Sequence, residues 1–85
     1  MDHKELSQKD QLELSNLFTS HKPFGDQPQR YEEIRSAGKL LAETILRFTP
    51  KSADQSAALR KVREAVFTAN AAIAVNEAAP EGQPA

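Results

Sequence analysis

Residues 31–55 read Tyr31-Glu32-Glu33-Ile34-Arg35-Ser36-Ala37-Gly38-Lys39-Leu40-Leu41-Ala42-Glu43-Thr44-Ile45-Leu46-Arg47-Phe48-Thr49-Pro50-Lys51-Ser52-Ala53-Asp54-Gln55. An apolar stripe runs through Tyr31, Ile34, Gly38, Leu41, Ile45 and Phe48, at spacings of 3, 4, 3, 4 and 3 residues. That is the seam of helices that pack nearly parallel along their axes. Leu40 and Leu46 lie off the line and widen the stripe, so this helix has more than one face to bury. The pattern stops at Thr49-Pro50, because proline disfavours the helical region for the residue before it. Ser52-Ala53-Asp54-Gln55 then supplies a capping box, with Gln at its last position. Two helices joined by so short a link are antiparallel neighbours.

Toward the C-terminus, Gln55, Leu59, Val62, Val66, Ala69 and Ile73 continue the seam at spacings of 4, 3, 4, 3 and 4. Beside it runs a row of small residues, Ala58, Ala65 and Ala72, which lets another backbone approach closely and suits an interchain contact. The expected hairpin helices span 27–48 and 53–77. At ~1.5 Å per residue each is on the order of 33 Å long. The residues after Glu77 have nothing to bury, so 78–85 is expected to be a disordered tail.

Toward the N-terminus, Asp26 stands where a helix N-cap belongs, with Pro28 tolerated in the first turn. Thr19-Ser20-His21-Lys22-Pro23-Phe24-Gly25 is an ordered turn or loop, with Pro and Gly two residues apart. Phe24 is out of place in a loop; either it folds back onto the hairpin or it offers a stacking face. Ser7 and Asp10 mark the start of a short helix over 8–19 that carries Leu12, Leu14, Leu17 and Phe18. No internal repeat is present. The fold class is all-α: a short N-terminal helix, a Pro/Gly loop and a long antiparallel hairpin, forming one domain over 1–77.

With 85 residues and no cysteine, the chain has no disulfide framework and no thiolate zinc site. Its two histidines, His3 and His21, are too few and too far apart for a self-contained metal site. A lone pair of long helices leaves part of each apolar stripe wet, and the N-terminal helix is too short to cover both. Small folds without a staple reach stability through a partner, so assembly with copies of itself is expected. The net charge of −1 and pI of about 6.1 are those of neither a DNA nor an RNA wrapper. No apolar run approaches the ~20 residues that span a bilayer, and Met1-Asp2-His3-Lys4 does not open a signal peptide. The expected setting is the cytoplasm.

For catalysis the sequence offers little. There is no glycine-rich phosphate loop, no HExxH, no cysteine nucleophile and no serine in a recognisable elbow. No catalytic residue, metal or cofactor is expected. Anion binding has more to build on. Lys22, Arg30, Arg35, Lys39 and Arg47 gather around the loop and along the second helix. Arg35 and Lys39 stand at i and i+4 on one face, where they could receive two phosphates without making the whole protein basic. His21 and Lys22 could close over a ligand, and Tyr31 could stack on a base or hydrogen-bond through its hydroxyl. Each also has a plain alternative. Arg35 and Lys39 can be helix solubilisers paired with Glu32 and Glu43, Tyr31 a core residue at the hairpin's end, and His21 an exposed loop residue.

The stretch His21-Lys22-Pro23-Phe24-Gly25-Asp26-Gln27-Pro28-Gln29-Arg30-Tyr31-Glu32-Glu33-Ile34-Arg35 resembles an H-x-P-x-G-D-Q-x-x-R-Y-E-x-I-R signature. Ala57-Ala58-Leu59, Arg63-Glu64-Ala65-Val66 and Ala69-Asn70-Ala71-Ala72-Ile73-Ala74 look like the A-L and E-A-V-x-x-A-N-A-A-I-A block of the same proteins. These are the viral anti-CBASS nucleotide sponges, whose hairpin domain is shared with anti-Thoeris sponges, and the likeness covers about residues 17–77. The resemblance implies a homohexamer in the infected bacterial host that sequesters cyclic di- or trinucleotide messengers of anti-phage defence without cleaving them. Anti-Thoeris relatives carry a further N-terminal domain, so the anti-CBASS type is the nearer match for a chain of this length. By position in the motif, Ser20, His21, Lys22 and Arg35 are the expected ligand contacts. Tyr31 and Lys39 join them on geometry. Arg35 would hold a phosphate through charge-assisted hydrogen bonds.

Two departures stand out. Ser20 occupies a place that is often aromatic in such sponges, removing a stacking face unless Phe18 or Phe24 replaces it. Val75 follows the A-N-A-A-I-A block where relatives tend to carry arginine, which puts in doubt a second ligand site near the end of the third helix. Asn70 is either a buried hydrogen-bonding residue between helices or a ligand contact. Beside the sponge stands a second function, a helical oligomeric adaptor that docks a protein partner on the Ala58/Ala65/Ala72 face or the Leu40/Leu46 flank. A helix-turn-helix DNA binder fits poorly, because its helices would cross steeply and its recognition helix would be basic.

Overall fold

In the computed structural model, residues 4–78 are described; His3 and the expected tail from residue 79 onward lie outside them. Three helices follow one another, α1 Gln8–Phe18, α2 Gln27–Phe48 and α3 Ala53–Asn76, with no strand among the described residues. No helix among them is long and apolar enough to cross a membrane.

α2 and α3 form the hairpin and hold the only extensive packing among the described elements. The approach is closest at Gly38. A Cβ built there would overlap Val66 Cγ2 and touch Val62 Cγ1 at 3.8 Å, so the glycine in the α2 stripe is what lets the α3 valines pack directly against the α2 backbone. No apolar side chain is buried among the described residues, however. Leu40, Leu41 and Leu46 are exposed, and Phe48 is 81% exposed. Within one chain the seam positions meet, but they form no hydrophobic core among the described residues.

The two buried residues among those described are both amides, Gln27 and Gln55, one at each end of the hairpin. At the turn, Ser52 Oγ accepts the Gln55 backbone N–H at 3.0 Å, the first half of the capping box. The second half differs from expectation. The Gln55 side chain does not return to Ser52; its Nε2 donates to Thr49 O and Thr49 Oγ1, both at 3.1 Å. Thr49 is the C-cap of α2, where carbonyls lack helical partners, so Gln55 of one helix satisfies the end of the other.

The N-cap of α2 also differs. Asp26 occupies the cap position but makes no side-chain cap bond. A cap oxygen usually takes the N–H of the second or third helical residue, and the second here is Pro28, which has none. Asp26 Oδ1 instead accepts from Arg30 Nε at 3.1 Å. Gly25 just before it has φ 58°, the left-handed conformation that only glycine adopts at no steric cost.

α1 is capped as expected, with Ser7 Oγ accepting from Asp10 N at 3.0 Å. It has no packed interface with either long helix comparable to theirs with each other. Its Leu12, Leu17 and Phe18 are all exposed. What ties it down is polar: Asn16 Nδ2 donates to the Val75 carbonyl at 3.1 Å.

Candidate functional site

The expected ligand residues other than Tyr31 fall into two groups at different heights along the hairpin. One group lies on its flank. Arg35 and Lys39 project from α2 and Arg63 and Phe67 from α3, around a groove of about 240 Å³ floored by Gly38 and Val66. The i, i+4 spacing in each helix stacks the two side chains one turn apart, and the close approach at Gly38 sets how near the two rows stand. The Arg63 guanidinium lies 5.2 Å from the centroid of the Phe67 ring, in cation–π range. Arg35 Nη1 donates to Glu32 Oε1 at 2.9 Å, an exposed pair within one helix. Lys39 and Arg63 are in no ion pair among the described residues. A groove with an apolar floor, three cations and one aromatic face can take a flat base and an anionic phosphate together.

The second group is at the mouth of the hairpin, where the chain leaves α1, passes through the loop and enters α2. His21 Nε2 donates to the Asn16 carbonyl at 2.8 Å, and Asn16 in turn holds Val75. A cleft of about 270 Å³ opens between Asn16, His21 and the last turn of α3. Ser20 and Lys22 flank His21 and are exposed; neither lines the flank groove. Tyr31 is half-buried on α2 and lines neither cavity. Within a single chain, then, Arg35 and Lys39 are together, Ser20, His21 and Lys22 are together, and the two sets do not share a pocket.

Beneath the loop sits a clasp. Arg30 Nη1 donates to Glu77 Oε2 at 2.7 Å and Nη2 to Glu77 Oε1 at 2.5 Å, a bidentate pair between the first turn of α2 and the C-cap of α3. Gln27 Nε2 donates to the same Glu77 Oε1 at 3.0 Å, while Gln27 Oε1 accepts the loop N–H of Phe24 at 3.1 Å. The Arg30 guanidinium, helped by Gln27, holds the Glu77 carboxyl well below its ordinary range, at about 2. Glu77 in return raises the Arg30 pKa further above its already high value.

Arg63, Phe67, Gln27 and Glu77 are not among the expected contacts, and Arg30, one of the cations expected around the loop, is engaged by Asp26 and Glu77. Arg63 and Phe67 carried a readable signal, a cation and an aromatic one helical turn apart on α3. Glu77 carried none, since only the fold brings it back to Arg30. Asn70 Oδ1 is shielded from solvent and has no hydrogen-bond partner among the described residues, which a buried acceptor tolerates poorly. Val75 contributes its backbone carbonyl to the mouth and no charge.

A family model described as Acb2/Tad1, hairpin domain, matches residues 12–74. That span begins in α1 and takes in the loop, all of α2 and nearly all of α3. No curated protein and no solved structure matches the chain.

Proposed function

The chain belongs to the Acb2/Tad1 hairpin-domain family, that of the anti-CBASS and anti-Thoeris sponges, and from that premise we propose that it is an anti-defence protein that sequesters cyclic di- or trinucleotide messengers of CBASS-type immunity in the cytoplasm of an infected bacterium. It holds the messenger without cleaving it, lowering the free concentration below what the host effector needs. The observation that carries the ligand class is the flank groove, where Arg35, Lys39 and Arg63 surround an apolar floor beside Phe67. Phosphates pair with the guanidinium and ammonium groups and a base lies against the floor. Ser20, His21, Lys22 and Tyr31 complete the site.

Sequestration requires tight binding. A nanomolar Kd corresponds to about −12 kcal/mol, more than one open flank supplies. The loop of a second copy therefore closes over the groove, and the functional unit is a homo-oligomer, as the hexameric sponges it resembles suggest. One feature supports assembly: the hairpin has no buried apolar side chain among the described residues. With a net charge of −1, polymeric DNA or RNA is not the ligand.

The test is calorimetric titration with a panel of cyclic di- and trinucleotides, followed by heat release and chromatography of the ligand. Submicromolar binding, intact recovered ligand and loss of binding in Arg35→Ala are expected. No heat from any member of the panel would sink the sponge reading. It would leave the adaptor, for which the exposed Leu40 and Leu46 offer a docking flank.

A further inference from the structure

The loop that carries Ser20, His21 and Lys22 is anchored at both of its ends to one short piece of chain, the last turn and C-cap of α3. Its N-terminal limb is tied through His21 to the Asn16 carbonyl, and through Asn16 Nδ2 to the Val75 carbonyl. Its C-terminal limb is tied by the Phe24 N–H to Gln27 Oε1, and by Gln27 Nε2 to Glu77. Gln27 is the least exposed residue among those described, at 2%. A buried amide has two hydrogen-bonding ends to satisfy, and here one end goes to the loop and the other to Glu77. The pair of bonds has one arrangement. Arg30 locks Glu77 from the far side with two more.

We propose that Glu77 is a positioning residue for ligand capture: it touches no ligand, and through Gln27 it fixes where the Pro23-Phe24-Gly25 limb of the loop stands relative to the hairpin. This rests on the sponge reading for its ligand, but the positioning itself is independent of it. The hairpin seam at Gly38, Val62 and Val66 is built from other residues than the clasp and lies more than two helical turns from it. Losing the clasp releases the loop and leaves the two helices paired.

The experiment pairs amide hydrogen exchange with titration of the same cyclic nucleotide panel, on the full chain and its Glu77→Ala and Glu77→Gln variants. Glu77→Ala should speed exchange of the Phe24 amide about tenfold or more, as expected for a loop that opens locally. Amides at the centre of α2 and α3 should keep their protection. Affinity should fall about tenfold, mainly through a slower association rate. Glu77→Gln keeps an acceptor for Gln27 and Arg30 and should fall between wild type and alanine. Asn16→Ala, a second variant, removes only the tie of the N-terminal limb to the Val75 carbonyl and should leave the Phe24 amide protected. Wild-type protection of Phe24 in Glu77→Ala would overturn the inference, as would a freed Phe24 with unchanged affinity. If the wild-type protein binds nothing in the panel, the sponge reading falls, and Phe24 exchange alone decides whether Glu77 positions the loop.

Discussion

Gly38 of α2 stands so close to Val66 of α3 that a single added methyl would overlap Val66 Cγ2. Two effects of opposite sign therefore meet at this position. Glycine inside a helix is about 1 kcal/mol less favourable than alanine, so Gly38→Ala should help on propensity alone. Overpacking a close contact costs about 1–3 kcal/mol, and the valine cannot turn away easily because its χ1 is restricted in a helix. Packing wins. Gly38→Ala is expected to lower the midpoint of thermal unfolding, while Gly38→Ala with Val66→Ala recovers part of the loss. A double-mutant cycle followed by circular dichroism checks this; a rise in midpoint for the single variant would contradict it.

Gln55 leads to a second prediction. It is 6% exposed and its Nε2 serves both the carbonyl and the hydroxyl of Thr49. Gln55→Ala removes both hydrogen bonds to the end of α2, at a cost of about 0.5–1.5 kcal/mol for each. Gln55→Glu should be no better, since a carboxylate cannot donate to either oxygen. Denaturant unfolding of the two variants should show similar losses of midpoint. Stability equal to wild type in Gln55→Glu would mean that the amide hydrogens are not what closes the turn.

Acid should act through Glu77. Its carboxyl titrates at about 2 in the folded chain, against 4.5 as its ordinary value, because Arg30 and then Gln27 hydrogen-bond to the ionised form. A lowered folded pKa means that the clasp's contribution to stability is fully present above about 4.5 and is lost as the pH falls toward 2. Unfolding midpoints measured from pH 6 to about pH 2 should decline through that window for the wild type. In Glu77→Gln the decline should be shallower. Parallel curves would show that other carboxylates carry the acid response.

How much of this was legible in the residues depends on the kind of signal each feature leaves. The hairpin was written in periodic positions and in two breaks, Thr49-Pro50 and the Pro23/Gly25 pair, all of which are local. The pairing of Arg35 with Lys39 followed from helical spacing. Features that depend on what the fold returns to the same place were not legible. Glu77 reads as the last residue before an unstructured stretch, and nothing near it in sequence points to Arg30. Gln27 and Gln55 read as polar positions at helix starts, yet they are the two residues the hairpin buries. The Asp26 cap is weakened locally by the missing N–H of Pro28, and its Oδ1 goes to Arg30 instead. The loop and the flank groove do not meet within one chain, so no single-chain spacing rule could have joined them.

The exposure of large apolar side chains gives the last prediction. Phe48 and Phe67 are exposed, as are Leu12, Leu17 and Phe18 of α1, and no apolar side chain is buried among the described residues. The described chain is only 13 Å deep along its shortest axis, about the thickness of a single layer of helices. One layer has no inside, so burial has to come from a second layer, and another copy of the chain is the available source. Stability should then depend on protein concentration, because association favours the folded state by mass action. Thermal midpoints should rise steadily as the protein is concentrated from about 1 to 100 μM, while sedimentation shows oligomers throughout the folded range. Phe67→Ser should reduce both, if the face around the flank groove contributes to the contact between copies. A concentration-independent midpoint with a sedimenting monomer would mean that this open hairpin is stable alone, and would remove the ground for a site closed by a second copy.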